Sequence, residues 1–409
     1  MKKTLIRKYA RLVARVGGNV QKGQSVIVCV EPENEDFGVM LAEECYKAGA
    51  GCVAVEFYSN KVSKVDVRYR TLKSLKTVPK WAEAKAQQEV DDCAVRIVVE
   101  SDDPNALKGV NVAKMRKAHN ARRAVLKKYS DALEGRQQWC ICSVPSKKWA
   151  KTVFPDDRPA AAVEKLWKAI LETVYVSEDN DPVEAWERRR EEFERRCGFL
   201  NGLGLKSLEI TTAKGTDLKI GLIPGMRFEG GGSTSLNGVY FVPNLPTEEI
   251  FTSPMRGVVE GTAVATMPLS YNGVLIEDFS VTFRDGKAVE WKAAKGGEML
   301  TQIIKTDEGS AMLGEVAFVP VDSSVGKTGL LFMKTLFDEN SSCHLALGTG
   351  FPDLMPGFEN MTLEQVREAG VNDSLTHVDF MIGDETYCAT GITEDGRRVK
   401  LLENGKWVI

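Results

Sequence analysis

Only three histidines occur in 409 residues: His119, His344 and His377. Two of them stand in apolar, strand-like runs, SSCHLALGTGF (341–351) and SLTHVDFMIG (374–383). In an extended chain His377 and Asp379, two apart, point to one face, where a neutral imidazole and a carboxylate can reach the same divalent ion. In SAMLGEVAFVP (310–320) Glu315 interrupts a strand whose same-face neighbours, Leu313 and Ala317, are apolar. A carboxylate there faces solvent or something that compensates a buried charge. In NLPTEEIFTSP (244–254) prolines flank an extended loop in which Glu248 and Glu249 point to opposite sides, so only one of them enters a shared site. Each feature taken singly has an ordinary structural explanation: a histidine–aspartate hydrogen bond at a strand end, an edge strand with a wet face, a surface glutamate pair. Together they offer two imidazoles and three carboxylates. Such an N/O donor set exceeds what one tetrahedral zinc needs and suits two divalent ions bridged by a carboxylate, about 3.5–4 Å apart, of the kind that does hydrolysis through a metal-activated water. An HExxH helix is absent from the sequence.

The elements that must position these residues differ between the two halves of the chain. In the first half, short β-branched runs, SVIVCVE (25–31), GCVAVEF (51–57), AVRIVVE (94–100) and QQWCICS (137–143), alternate with helical patterns at 36–49, 79–90, 103–131, 146–152 and 159–175. That alternation predicts βαβ units and a parallel sheet covered on both faces. A long charged helix at 181–204 ends in glycines, and beyond it strands follow one another closely. Among the turns, RDGK (284–287) and EDGR (394–397) read as hairpins by their Asp-Gly pairs. The expected fold is an α/β N-terminal domain with a parallel sheet over 1–200, a dimer contact or chamber wall, and a β-rich α+β metal-binding domain over 201–409.

Other chemistries find no support. A net charge of −3 favours neither nucleic acid nor an anionic membrane. No run of about 18 apolar residues reads as a membrane span, and the basic, interrupted N-terminus reads as an amphipathic helix, not a signal peptide. Nine irregularly spaced cysteines, several in apolar runs, read as free thiols of a reducing compartment. VGKTG (325–329) has Val321 where a phosphate-binding loop needs its first glycine, GGGSTS (230–235) lacks a lysine, KAGAGCVAV (47–55) runs from helix to strand, and no GxSxG elbow occurs. A soluble, cytoplasmic protein is expected.

Several longer stretches resemble the M29 family of metallo-aminopeptidases: NLPTEEIFTSP, LGEVAFVP, TLFDENSSCHLALG (335–348) and HVDFMIG (377–383), with PSKKWAKTVFP (145–155) and the closing ENGKWVI. The resemblance spans essentially the whole chain. It implies a cytoplasmic homodimer that removes N-terminal residues from peptides with a two-metal site, zinc in first place and cobalt or manganese as alternatives. It also implies that Glu249, Glu315, His344, His377 and Asp379 are metal ligands and that carboxylates, Glu249 and Glu315 among them, handle protons. One position departs from the family pattern: Phe351 stands where a tyrosine is expected. Loss of one oxyanion donor costs about 10²–10³ in rate, so a metal- or peptide-binding protein with reduced turnover is the alternative reading, and Tyr387 is one candidate to replace the missing phenol.

Overall fold

The computed structural model describes residues 1–271 and 273–409, the side chains of 359 and 363 excepted. The chain forms two compact units, Met1–Glu187 with Gly232–Leu245, and Arg188–Gly231 with Pro246–Ile409. The division falls within the helix Pro182–Gly202.

The first unit is built on the parallel sheet the alternation predicts. Its strands β1 (Ser25–Val30), β2 (Cys52–Phe57), β3 (Val95–Glu100) and β4 (Trp139–Ser143) lie in the order β4-β3-β1-β2, and the two-residue strand Asn244–Leu245 adds parallel to β4. That last strand brings Gly232–Leu245 into this unit, and two residues are too short to carry a sheet periodicity. Val26, Val28 and Val30 alternate with half-buried neighbours, and Cys140 and Cys142 share a buried face of β4. The predicted helices form at Glu35–Ala48, Lys80–Asp92, Lys147–Val153 and Pro159–Thr173, while the one expected over 103–131 begins only at Val112 and runs to Leu133, after residues 103–111, which are mostly turn. A further one, Asn60–Tyr69, has Val62, Val65 and Tyr69 exposed, so no apolar stripe announces it; Ser59 caps it by accepting from the Val62 amide. All nine cysteines are free. Among the described residues no helix is long and apolar enough to cross a membrane.

The second unit carries the β-rich half. A nine-stranded antiparallel sheet contains both predicted hairpins, Val274–Arg284 with Lys287–Lys295 and Cys388–Thr393 with Arg398–Glu403. The first turns through Asp285 (φ 49°) and Gly286 (φ 75°), the backbone signs a two-residue hairpin requires. A second antiparallel sheet holds the candidate residues. Its strands are β5 (Ile250–Thr252), β6 (Leu313–Phe318), β7 (His344–Gly348) and β8 (His377–Met381), in the order β8-β7-β6-β5, with Glu229–Gly230 outside β5. The segment expected to be an extended loop thus closes on a strand: PTEE remains irregular, while Ile250–Thr252, apolar and β-branched, pairs on both sides. One face of this sheet, with Val316, Phe318, Leu345, Leu347, Val378 and Phe380, joins Leu208, Ile210, Ile220 and Phe279 of the larger sheet in a single core. At about 1.5–3 kcal/mol for each fully buried side chain, that core holds β6, β7 and β8 in register.

Candidate metal centre

Strand register assembles the site. Glu315 on β6 lies opposite Ala346 on β7, and Ala346 lies opposite Asp379 on β8, so the three form one row across the sheet. Two residues away along β7 is His344, and two in the other direction is Gly348, which lies opposite His377. Since side chains alternate, this face carries Glu315, His344, His377 and Asp379, while Leu345, Leu347, Val378 and Phe380 go to the core. Phe251 pairs with Ala317, which lies two residues beyond Glu315 on the same face, and extending that alternation places Glu249 on it too. The floor between these groups is Ala346 and Gly348. Gly348 has φ 118°, and a Cβ there would lie 2.0 Å from the Thr376 carbonyl oxygen, so no other residue fits.

The side chains converge. His344 Nε2 is 3.1 Å from Glu249 Oε2, and His377 Nε2 is 3.0 Å from Glu315 Oε2 and 3.1 Å from Asp379 Oδ1. Two groups each offer donor atoms within 4.8 Å of one another: Glu249, Glu315 and His344, and Glu315, His377 and Asp379. Glu315 belongs to both. Each imidazole is oriented through its other nitrogen, His377 Nδ1 lying 2.8 Å from the Thr349 carbonyl and His344 Nδ1 3.3 Å from that of Ser342. A backbone carbonyl on Nδ1 is how metal-binding histidines are commonly held with Nε2 presented. His119 lies exposed on the helix Val112–Leu133 and belongs to neither group.

Glu248 and Glu249, adjacent in sequence, go different ways. Glu248 is buried and accepts from Arg189 Nη2 at 2.6 Å and from Ser324, and its amide donates to Asn340 Oδ1 at 2.6 Å. That fixes the chain just before Glu249, which is left to face His344. Sequence reasoning passed over Arg189 and Asn340, because a helix-borne arginine and an asparagine in DENSS carry no motif.

The electrostatics are those of a site short of positive charge. Burial pushes Glu315 up to about 6, although His377 opposes the shift. Burial would depress both histidines, yet Glu249 holds His344 up at about 9, and Asp379 with Glu315 holds His377 at about 12. Burial would raise Asp379, but His377 keeps it low. Glu339 is a fourth carboxyl that sequence reasoning missed. Burial, and then the charges of Asp379, Glu249 and Glu315, hold it well above the usual carboxylate range. It shares a small recess with Lys334, Asp338 and Asp379. Its position in FDENSS, inside one of the family-like stretches, was the available signal. Among the described residues the ion-pair partners of Glu249, Glu315 and Asp379 are imidazoles, with no lysine or arginine. Clustered carboxylates neutralised only by protons on two imidazoles are the donor set that hard-to-borderline divalent cations take.

Phe351 sits beside this cluster. Its ring is 5.3 Å from that of His377 and 4.9 Å from that of Phe251, and its amide donates to Ser253 Oγ at 2.8 Å. Tyr387 is fully buried in the core; its electrostatic neighbours are Cys343 and Cys388, none of the acids or imidazoles of the cluster.

The sequence pattern of the family described as thermophilic metalloprotease (M29) matches residues 2–407. The chain belongs to the M29 family. It is 38% identical to aminopeptidase T of Thermus aquaticus, covering 99% of this chain and 98% of that one. To aminopeptidase AmpS of Bacillus subtilis it is 37% identical, covering 98% of each. The solved structure of wild-type AmpT from Thermus thermophilus is 36% identical and superposes with a TM-score of 0.91 over 100% of both chains. The architecture of an α/β unit followed by an antiparallel, β-rich unit is therefore that of a known M29 fold. This M29 chain is a metallo-aminopeptidase, a hydrolase that needs a divalent metal and acts on peptides.

Proposed function

We propose that this M29 enzyme removes N-terminal residues from peptides at a dinuclear centre within residues 201–409, its ligands being Glu249, Glu315, His344, His377 and Asp379. One observation supports the count of two: the two candidate ligand triads share Glu315, so this one carboxylate would serve both ions. Zinc suits the mixed nitrogen and oxygen donors, with cobalt or manganese as alternatives. When bound, the ions supply Lewis acidity toward the peptide carbonyl and lower the pKa of water. The chain's own residues do the rest. Thr349 and Ser342 hold the two Nδ1 atoms, so both Nε2 lone pairs face the centre. Ala346 and Gly348 keep the floor open. The Glu339 carboxyl, pushed above the usual carboxylate range by burial and by its anionic neighbours, shares a recess with Asp379 and is the group we assign to exchange a proton with substrate at Oε. The family resemblance further supports a cytoplasmic homodimer, with the first unit as dimer contact or chamber wall.

Elemental analysis of purified protein, together with release of p-nitroaniline from Leu-p-nitroanilide, tests the reading. Two ions per chain are expected, with both lost in Glu315→Gln and turnover down by more than the about 10–100-fold that losing a mere supporting partner costs. One ion per chain, or two ions retained in Glu315→Gln, would sink it.

A second reading is favoured by the place of Phe351 against the His377 ring. Where the family resemblance expects a phenol, this chain has none, and turnover is correspondingly weak. Phe351→Tyr is expected to raise kcat by about 10²-fold, the scale of one oxyanion donor, without changing the metal content. An unchanged kcat means the phenol is dispensable here.

A further inference from the structure

The first unit has its own cavity, of about 250 Å³, at the carboxyl ends of its parallel strands. The order β4-β3-β1-β2 makes the chain leave β1 toward β2 on one side and return to β3 on the other. The gap beyond the ends of β1 and β3 is therefore a topological switch point, where open parallel sheets bind ligands. The cavity straddles it: Glu31 and Glu33 follow β1, and Asp103 follows β3. Two buried hydroxyls lie at the same strand ends, outside the residues that line the cavity. Ser101, just after β3, and Ser143, closing β4, are fully buried with side-chain oxygens that make no hydrogen bond among the described residues.

The cavity's lining carries both signs. Glu31 and Glu33 follow β1, while Lys61 and Arg68 lie seven apart on the helix Asn60–Tyr69 and so share a face. Asp103 and Lys148, 3.6 Å apart, form an ion pair within the same lining. A purely anionic ligand would meet the glutamates, and a purely cationic one the lysine and arginine. A small molecule with an ammonium at one end and a carboxylate at the other satisfies both, and the volume admits little more than an amino acid or a dipeptide. We propose that this cavity binds a zwitterionic α-amino acid or dipeptide, ammonium toward Glu31 and Glu33, carboxylate toward Lys61 and Arg68. Such molecules are what an aminopeptidase releases, so the site would sense product through residues that are not part of the metal centre.

Calorimetric titration of metal-free protein, held in a chelator so that products cannot bind at the metals, tests this. L-Leucine and L-alanine are expected to bind, with N-acetyl-L-leucine and L-leucinamide each weaker by at least about tenfold, the scale of a lost hydrogen bond to a charged group. The double variant Lys61→Ala/Arg68→Ala should lose L-leucine binding by a similar factor while the metal-loaded enzyme keeps its turnover of Leu-p-nitroanilide. The proposal fails if L-leucine does not bind metal-free protein, if inorganic phosphate or N-acetyl-L-leucine binds as well as L-leucine, or if the double variant binds like the parent. None of these results bears on the count of metal ions, which elemental analysis decides separately.

Discussion

In the first unit Glu89 lies against Arg96 with Nε and Nη2 2.6 and 2.5 Å from its two oxygens, and Glu44, 5% exposed, accepts from both Arg7 and Lys47. In the second unit Glu249, Glu315 and Asp379 are as deeply placed, but their partners are two histidines. The first arrangement carries its countercharge permanently, because a guanidinium does not lose its proton. The second holds its countercharge on groups that give the proton up. A fold needing only stability has no use for that difference, since a fixed cation serves better. A site that must exchange protons for metal ions needs it. Adjacent residues show the contrast at shortest range: Glu248 is matched by Arg189, and Glu249 by His344.

The largest effect that could break this comparison comes from filling the floor. Ala346 lies between Glu315 and Asp379 in the register and is fully buried. Ala346→Leu puts three carbons where the proposed centre would hold its ions, so metal content should fall toward zero and turnover by more than about 10²-fold. Overpacking costs about 1–3 kcal/mol, so the variant should still unfold cooperatively. If it keeps two ions and normal turnover, the centre does not lie on this face.

How far the site was legible follows from the same residues. His344, His377, Asp379 and Glu315 each sat in a strand short enough for alternation to assign a face, and β6, β7 and β8 do place them together. What alternation along one strand cannot give is register between strands, and register alone puts Glu315, Ala346 and Asp379 in one row. For the choice between Glu248 and Glu249 the sequence offered only that one of them enters; the family resemblance pointed to Glu249, and Arg189, some sixty positions away, supplies the physical reason. Glu339 was hidden because its meaning comes from burial beside other carboxylates, which no local pattern encodes. In the first unit the parallel sheet was plain from alternating strands and helices. The return of Gly232–Leu245 to that sheet was not, since its pairing with β4 involves two residues.

A smaller effect sharpens the contrast at its closest point. The Arg189 and Glu248 side chains are 17% and 4% exposed. Arg189→Met leaves Glu248 buried opposite an uncharged chain, and breaking such a pair costs about 3 kcal/mol. Chemical denaturation should show that loss, and turnover should fall as well, because Glu248 sets the position of Glu249. A loss of stability with unchanged turnover would mean that Glu249 is held by its strand alone.

The smallest expected effect is in pH dependence, and its sign differs between the two kinds of pairing. Glu89 is pulled upward by burial, but Arg96 holds it below the usual carboxylate value. Its contribution is present above the unfolded value near 4.3 and is lost as pH falls through the folded one. His344 behaves oppositely. Held at about 9 against an unfolded value near 6.5, it contributes fully below the latter and loses that contribution as pH rises through about 9. Metal-free protein should therefore melt at a lower temperature at pH 9.5 than at pH 6.5, and Glu89→Gln should not remove that decline. With His344 and His377 as the proposed ligands, ions in place of their protons should abolish it, since metal-bound imidazoles would be neutral at both pH values. An alkaline decline of equal size with and without metal would place its origin outside the cluster and remove the distinction between fixed and exchangeable countercharge.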